Sequence, residues 1–135
     1  MPDESAEVMR RLFAAYEERG VEGVLEWIDP EFEAVVPPEL SAEPDVYRGH
    51  DGVRRWFAGF EGFLDEVRLV ARDFVGCGDR VLVPAVLKGR GAESGIPVEQ
   101  QVFQVWTVSG GKAVSVAPFA DERSARAAAG LPWAQ

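Results

Sequence analysis

The apolar spacing of the chain changes period near residue 66, and that switch limits what it can fold into. Before the switch, Val8, Leu12 and Tyr16 form one stripe with Met9 and Phe13 beside it, the offsets of a helix. Asp3 and Glu4 open this helix, where negative charge suits the dipole, and Gly20 is placed to end it. The spacing predicts a second short helix over Val21 to Ile28, stopped by Asp29-Pro30. A strand over Glu31 to Val36 follows, with Phe32, Ala34 and Val36 on one face. Residues 37–46 read as a proline-rich loop. Val53, Trp56, Phe57, Phe60 and Leu64 then give a third helical stripe, weakened by Gly59 and Gly62. After the switch, strands are predicted over Val67 to Val75, Arg80 to Lys88, Val98 to Val108 and Ala113 to Phe119, joined by glycine-containing turns. In the second of these both alternating sets are apolar, so both faces are expected to be buried. Asp121 caps a last helix over Glu122 to Ala129, and Gly130-Leu131-Pro132 stops it.

Helices segregated from an antiparallel meander imply an α+β fold, with helices packed on one face of a curved sheet. The length of 135 residues fits one domain spanning 1–135. An apolar fraction of 47% is enough for a core. With 14 basic against 23 acidic residues the net charge is −9, a field that repels phosphate backbones and anionic bilayers, so neither nucleic acid nor membrane is an expected partner. Cys77 stands alone, which excludes an internal disulfide. No apolar run approaches 18 residues and the N-terminus lacks a signal-peptide layout, so a cytoplasmic protein is expected. One histidine and no cysteine cluster argue against zinc, and no cofactor is expected.

Several segments, taken in order, carry a family likeness. They are Phe13 to Gly20 on the first helix, Trp27-Ile28-Asp29-Pro30-Glu31-Phe32, Tyr47-Arg48-Gly49-His50-Asp51-Gly52-Val53, Gly78-Asp79-Arg80-Val81, and Val105-Trp106-Thr107-Val108 leading through Gly110-Gly111-Lys112. Asp121-Glu122-Arg123 and Ala129-Gly130-Leu131 complete the set. Across about residues 5 to 131 the chain resembles the nuclear-transport-factor-2-like superfamily, and within it the SnoaL-like relatives of polyketide cyclases and ketosteroid isomerases. The resemblance implies a cone-shaped half-barrel whose concave face carries the three N-terminal-half helices and encloses an apolar pocket, with a short C-terminal helix. It also implies homodimers through the outer sheet face. The fold hosts isomerases, cyclases, dehydratases, epoxide hydrolases and non-catalytic binding modules, so it does not decide the activity.

The resemblance places the ketosteroid isomerase donor tyrosine, base and protonated aspartate at Phe13, Val36 and Phe103. None of these side chains moves a proton, so that acid–base set is missing and the pocket is expected to be apolar. If Phe103 faces the pocket, Gln101 does too, while Val102 and Trp106 face outward and offer an apolar dimer surface. Tyr16, Tyr47 and His50 are the candidate proton-transfer groups, with His50 also suited to a structural place at the start of the third helix. The expected pocket lining is Phe13, Tyr16, Val36, Tyr47, Trp56, Phe60, Gln101 and Phe103. Trp27, Trp56, Phe57, Phe60 and Phe63 are candidates for its mouth, and Arg72 and Asp73 are a weaker pair that resembles the arginine–aspartate core of the superfamily's epoxide hydrolases. Two readings stay open: a cofactor-independent enzyme acting on a small hydrophobic molecule, and a non-catalytic ligand-binding or dimerisation module.

Overall fold

The N-terminal stripe winds into α1 (Glu4–Arg19) in the computed structural model, which describes residues 4–36, 45–61 and 64–132. Ala6, Met9, Leu12 and Phe13 are its buried face. Gly20 turns the chain at φ 70°, a conformation that a side chain resists, and α2 (Val21–Val24) begins directly after it. The second helix is shorter than its spacing predicts. It tightens into a 3-10 turn at Leu25–Trp27, and Ile28 is already strand, paired with Ala113.

Gly23 lets α2 lie against α1, since a Cβ there would stand 2.6 Å from the carbonyl oxygen of Ala15. Helix propensity alone favours alanine over glycine by about 1 kcal/mol. The backbone clash outweighs it, because overpacking costs roughly 1–3 kcal/mol. Gly23→Ala is therefore expected to lower the melting temperature by several degrees. A rise in calorimetry would contradict this packing.

Among the described residues seven strands form one sheet. They are β1 (Ile28–Val36), β2 (Asp45–Arg48), β3 (Leu64–Ala71), β4 (Val75–Cys77), β5 (Arg80–Gly91), β6 (Pro97–Ser109) and β7 (Lys112–Phe119). Their order is β2-β1-β7-β6-β5-β3, with β4 also paired to β5. The sheet is curved and unclosed. It is also mixed, not wholly antiparallel as expected, because β1 runs parallel to β7. The end of the segment read as loop, Asp45 and Val46, is strand: its backbone pairs with Val36 and Val35. The strand expected over Val67 to Val75 breaks at Arg72–Phe74 and resumes as β4 on the same neighbour. β5 has both faces buried, with Val81, Val83 and Ala85 on one side and Leu82 and Val86 on the other.

The two faces carry different layers. On the concave face α1, α2 and α3 (Gly49–Glu61) enclose the main core, which includes Met9, Phe13, Phe32, Val53, Val81 and Trp106. On the opposite face α4 (Glu122–Ala129) lays Ala125 and Ala129 over Leu82 and Val105, with Phe103 and Phe119 beside them. Asp121 caps α4: its Oδ1 accepts from the Ser124 amide at 2.8 Å and its Oδ2 from the Ser124 hydroxyl at 2.9 Å. Those bonds, the backbone one first, hold the Asp121 carboxyl below the usual aspartate range.

Candidate functional site

The concave face does not fill completely. A cavity of about 630 Å³ remains between the sheet and the helices, within the size range of small-molecule sites. Its floor is the inner register of β5 and β6, with Leu87 opposite Gln100 and with Val102, Gln104 and Trp106 along β6. Val67, Arg68 and Leu69 of β3 and Pro118 of β7 flank the floor. Tyr16 and Glu17 at the end of α1, Gly20, Val21, and Arg54, Trp56, Phe57 and Ala58 of α3 form the roof.

Aromatic rings fix the roof. Phe57 meets Tyr16 edge to face at 5.4 Å and Trp56 at 5.7 Å. Tyr47 stacks on the far side of Trp56 at 6.3 Å, with the Arg55 guanidinium 4.5 Å from its ring centre. Such contacts restrict the rings to a few orientations, so the walls are stiff.

Charged groups sit at the rim. The Arg54 guanidinium donates to both carboxylate oxygens of Glu22, at 2.9 and 3.3 Å, and to Asp51 at 3.0 Å. This fork ties α3 to α2, and its hydrogen bond holds the Glu22 carboxyl below the usual range and raises the Arg54 guanidinium. Arg68 lies 3.7 Å from Glu17 across the mouth. Both lining arginines thus already have carboxylate partners.

Some expected site residues lie in the cavity wall and others do not. Tyr16 and Trp56 line it. Phe13 is buried beside it, edge-on to Phe74 at 5.6 Å and to Trp106 at 6.3 Å. Tyr47 stands behind Trp56 and outside the lining. His50 is structural: its Nε2 lies 2.9 Å from the Ile28 carbonyl oxygen, which can only accept, so Nε2 holds a proton and pins α3 to β1. The side chains of Val36 and Phe60, and all of Phe63, lie outside the described residues. Trp27 packs against the core, away from the lining. Asp73 accepts from the Phe74 amide at 2.8 Å on an exposed bend and does not enter the cavity, nor does Arg72.

Gln101 and Phe103 are the clear corrections. They pair with Val86 and Pro84 on the face that bears α4, not on the cavity side. Trp106 and Val102, expected outside as a dimer surface, face inward and belong to the main core. β6 is apolar on both faces, because α4 needs a sheet face of its own, so alternation alone does not fix which set points in. The inward polar side chain that was missed is Gln104. It is 4% exposed and takes the Trp106 indole N–H on its carbonyl oxygen at 2.9 Å.

Residues 9–116 match the family model of the SnoaL-like domain. The chain belongs to the SnoaL-like family. Solved structures agree in fold. An NTF2-like protein of unknown function from Burkholderia pseudomallei K96243 superposes with a TM-score of 0.76, at 21% identity over 93% of this chain and 97% of that one. TerC, co-crystallised with polyporic acid, gives 0.76 at 25% identity over 90% and 94%. A protein from Jannaschia sp. CCS1, proposed to be a SnoaL-like polyketide cyclase, gives 0.71 at 21% identity over 98% and 95%. No curated protein matches in sequence.

Within this SnoaL-like cone, the groups lining the cavity that can exchange protons are Tyr16 and Glu17, among the described residues. No three histidine, cysteine, aspartate or glutamate side chains converge as a metal site would require, again among the described residues. No described helix is long and apolar enough to cross a membrane.

Proposed function

We propose that this SnoaL-like protein takes a flat, hydrophobic, polyketide-like molecule into the cavity and promotes a cofactor-independent proton transfer on it. The observation that carries the reading is the cavity itself. Its walls are mainly apolar and aromatic, its size suits a multi-ring guest, and aromatic contacts hold it open. The family supports the same direction, as do TerC with its polyporic acid and the proposed cyclase from Jannaschia. A C–H between two carbonyls is acidic enough to need only a weak base. In this reading the exchange falls to Tyr16 and Glu17, the lining groups able to give or take a proton.

The test is a titration with polyporic acid and a panel of aromatic ketones, read by tryptophan fluorescence and by thermal melting. Trp56 and Trp106 both line the cavity, so a bound guest is expected to quench emission. A ligand at about 100 times its Kd stabilises by roughly 2.7 kcal/mol, which raises the melting temperature by several degrees. No quenching and no shift across the panel would contradict the proposal.

A further inference from the structure

The polar atom that Gln104 turns toward the cavity is fixed by its neighbour. The Trp106 indole N–H can only donate, so the Gln104 atom 2.9 Å away is its carbonyl oxygen, and the amide NH2 points the other way. That NH2 has no hydrogen-bond partner among the described residues, although the residue is more than nine-tenths buried and lines the cavity. Its cross-strand neighbours on β5 and β7 are Val83 and Pro118, whose side chains offer no acceptor. No side-chain nitrogen or oxygen among the described residues is both sealed off and unpaired, so this NH2 stays accessible from the cavity it lines, where a guest can meet it. We propose that the Gln104 amide is a one-way hydrogen-bond donor that selects guests presenting a carbonyl oxygen at the inner end of the cavity, a ketone or a quinone in place of a plain hydrocarbon.

The orientation matters as much as the residue. A free glutamine side chain can rotate and offer either its oxygen or its nitrogen. Here Trp106 removes that choice, so the site offers a donor and not an acceptor. Gln100 is four residues away on the same face of β6, about 13 Å along a strand. Val102 and Leu87 make the wall between them apolar. A guest therefore places its carbonyl at Gln104, an apolar ring system over Val102, and its outer end near Gln100 at the rim.

This selectivity rests on the cavity being the binding site, and the experiment separates the two claims. The probes are 9-fluorenone and fluorene, which share a shape and differ by one carbonyl oxygen. Calorimetric titration of the wild-type protein is expected to give about tenfold tighter binding for the ketone. The infrared carbonyl stretch of bound 9-fluorenone is expected below its value in an apolar solvent. Gln104→Met keeps the side-chain length and removes the donor. Because the change also takes away the oxygen that accepts from Trp106, fluorene affinity in the variant serves as its own reference: the ketone's advantage over fluorene is expected to vanish and the carbonyl stretch to return toward its apolar-solvent position. Equal binding of both probes to the wild-type protein, or an advantage and a band shift that survive in Gln104→Met, would overturn the donor role and leave the cavity reading intact. Binding of neither probe would overturn both. Should Gln104→Met fail to fold, the wild-type affinity ratio and band position still decide.

Discussion

Val102→Trp is expected to weaken guest binding at least about tenfold, or ~1.4 kcal/mol, while the protein stays folded. Val102 is half-buried on the cavity floor between Gln100 at the rim and Gln104 inside, opposite Ala85 on β5. A tryptophan there stays compatible with a strand and projects its ring across the waist of the cavity. The new ring occupies space meant for a guest, so the melting temperature of the free protein should hold. Comparing the affinity for an aromatic ketone with the free protein's melting curve separates blockage from unfolding. Unchanged affinity in a folded variant would place the binding site elsewhere.

Phe32→Ala is expected to have the largest effect on stability. Phe32 is fully buried on β1, with its ring 6.0 Å from Trp106 beneath the helices. Truncating a buried phenylalanine costs roughly 3–5 kcal/mol, a large share of the total stability of a domain this size, about 5–15 kcal/mol. The expected fall in melting temperature is roughly 10–20 °C. A change of only about 2 °C by circular dichroism would mean that this residue does not lie in the main core. Because Trp106 positions Gln104, the same variant should also loosen the inner end of the cavity.

The layered plan was legible because helix and strand periods are strong signals over long segments. α1, α3 and α4 carry clear stripes or caps, and the hairpins from β5 to β7 follow glycine turns. Short elements gave no such signal. β2 has four residues at the end of a proline-rich stretch, and its strand state comes from pairing with β1. The parallel contact of β1 with β7 joins segments far apart in sequence, which no local pattern records.

The candidate site was legible only on its helical side. Tyr16 and Trp56 stood out as aromatic residues on amphipathic stripes, and they do line the cavity. For the floor, alternation along β6 points to the wrong face. Phe103 and Val105 are as apolar as Val102 and Trp106, and what separates the two sets is α4, which claims the first. The signal in the sequence was α4 itself: its alanine face, ending in Leu131, needs sheet residues to cover. Assigning Phe103 and Val105 to it leaves Gln104 inside, the residue on which guest selection depends.

The most direct measurement is a crystal structure of the protein soaked with a tricyclic aromatic ketone. Density for the rings over Val102 and beneath Trp56 and Phe57, with the ketone oxygen within hydrogen-bond distance of the Gln104 nitrogen, is the predicted result. A space closed by the rings of Tyr16, Phe57 and Trp106, with the ketone bound on the outside or not at all, would contradict it.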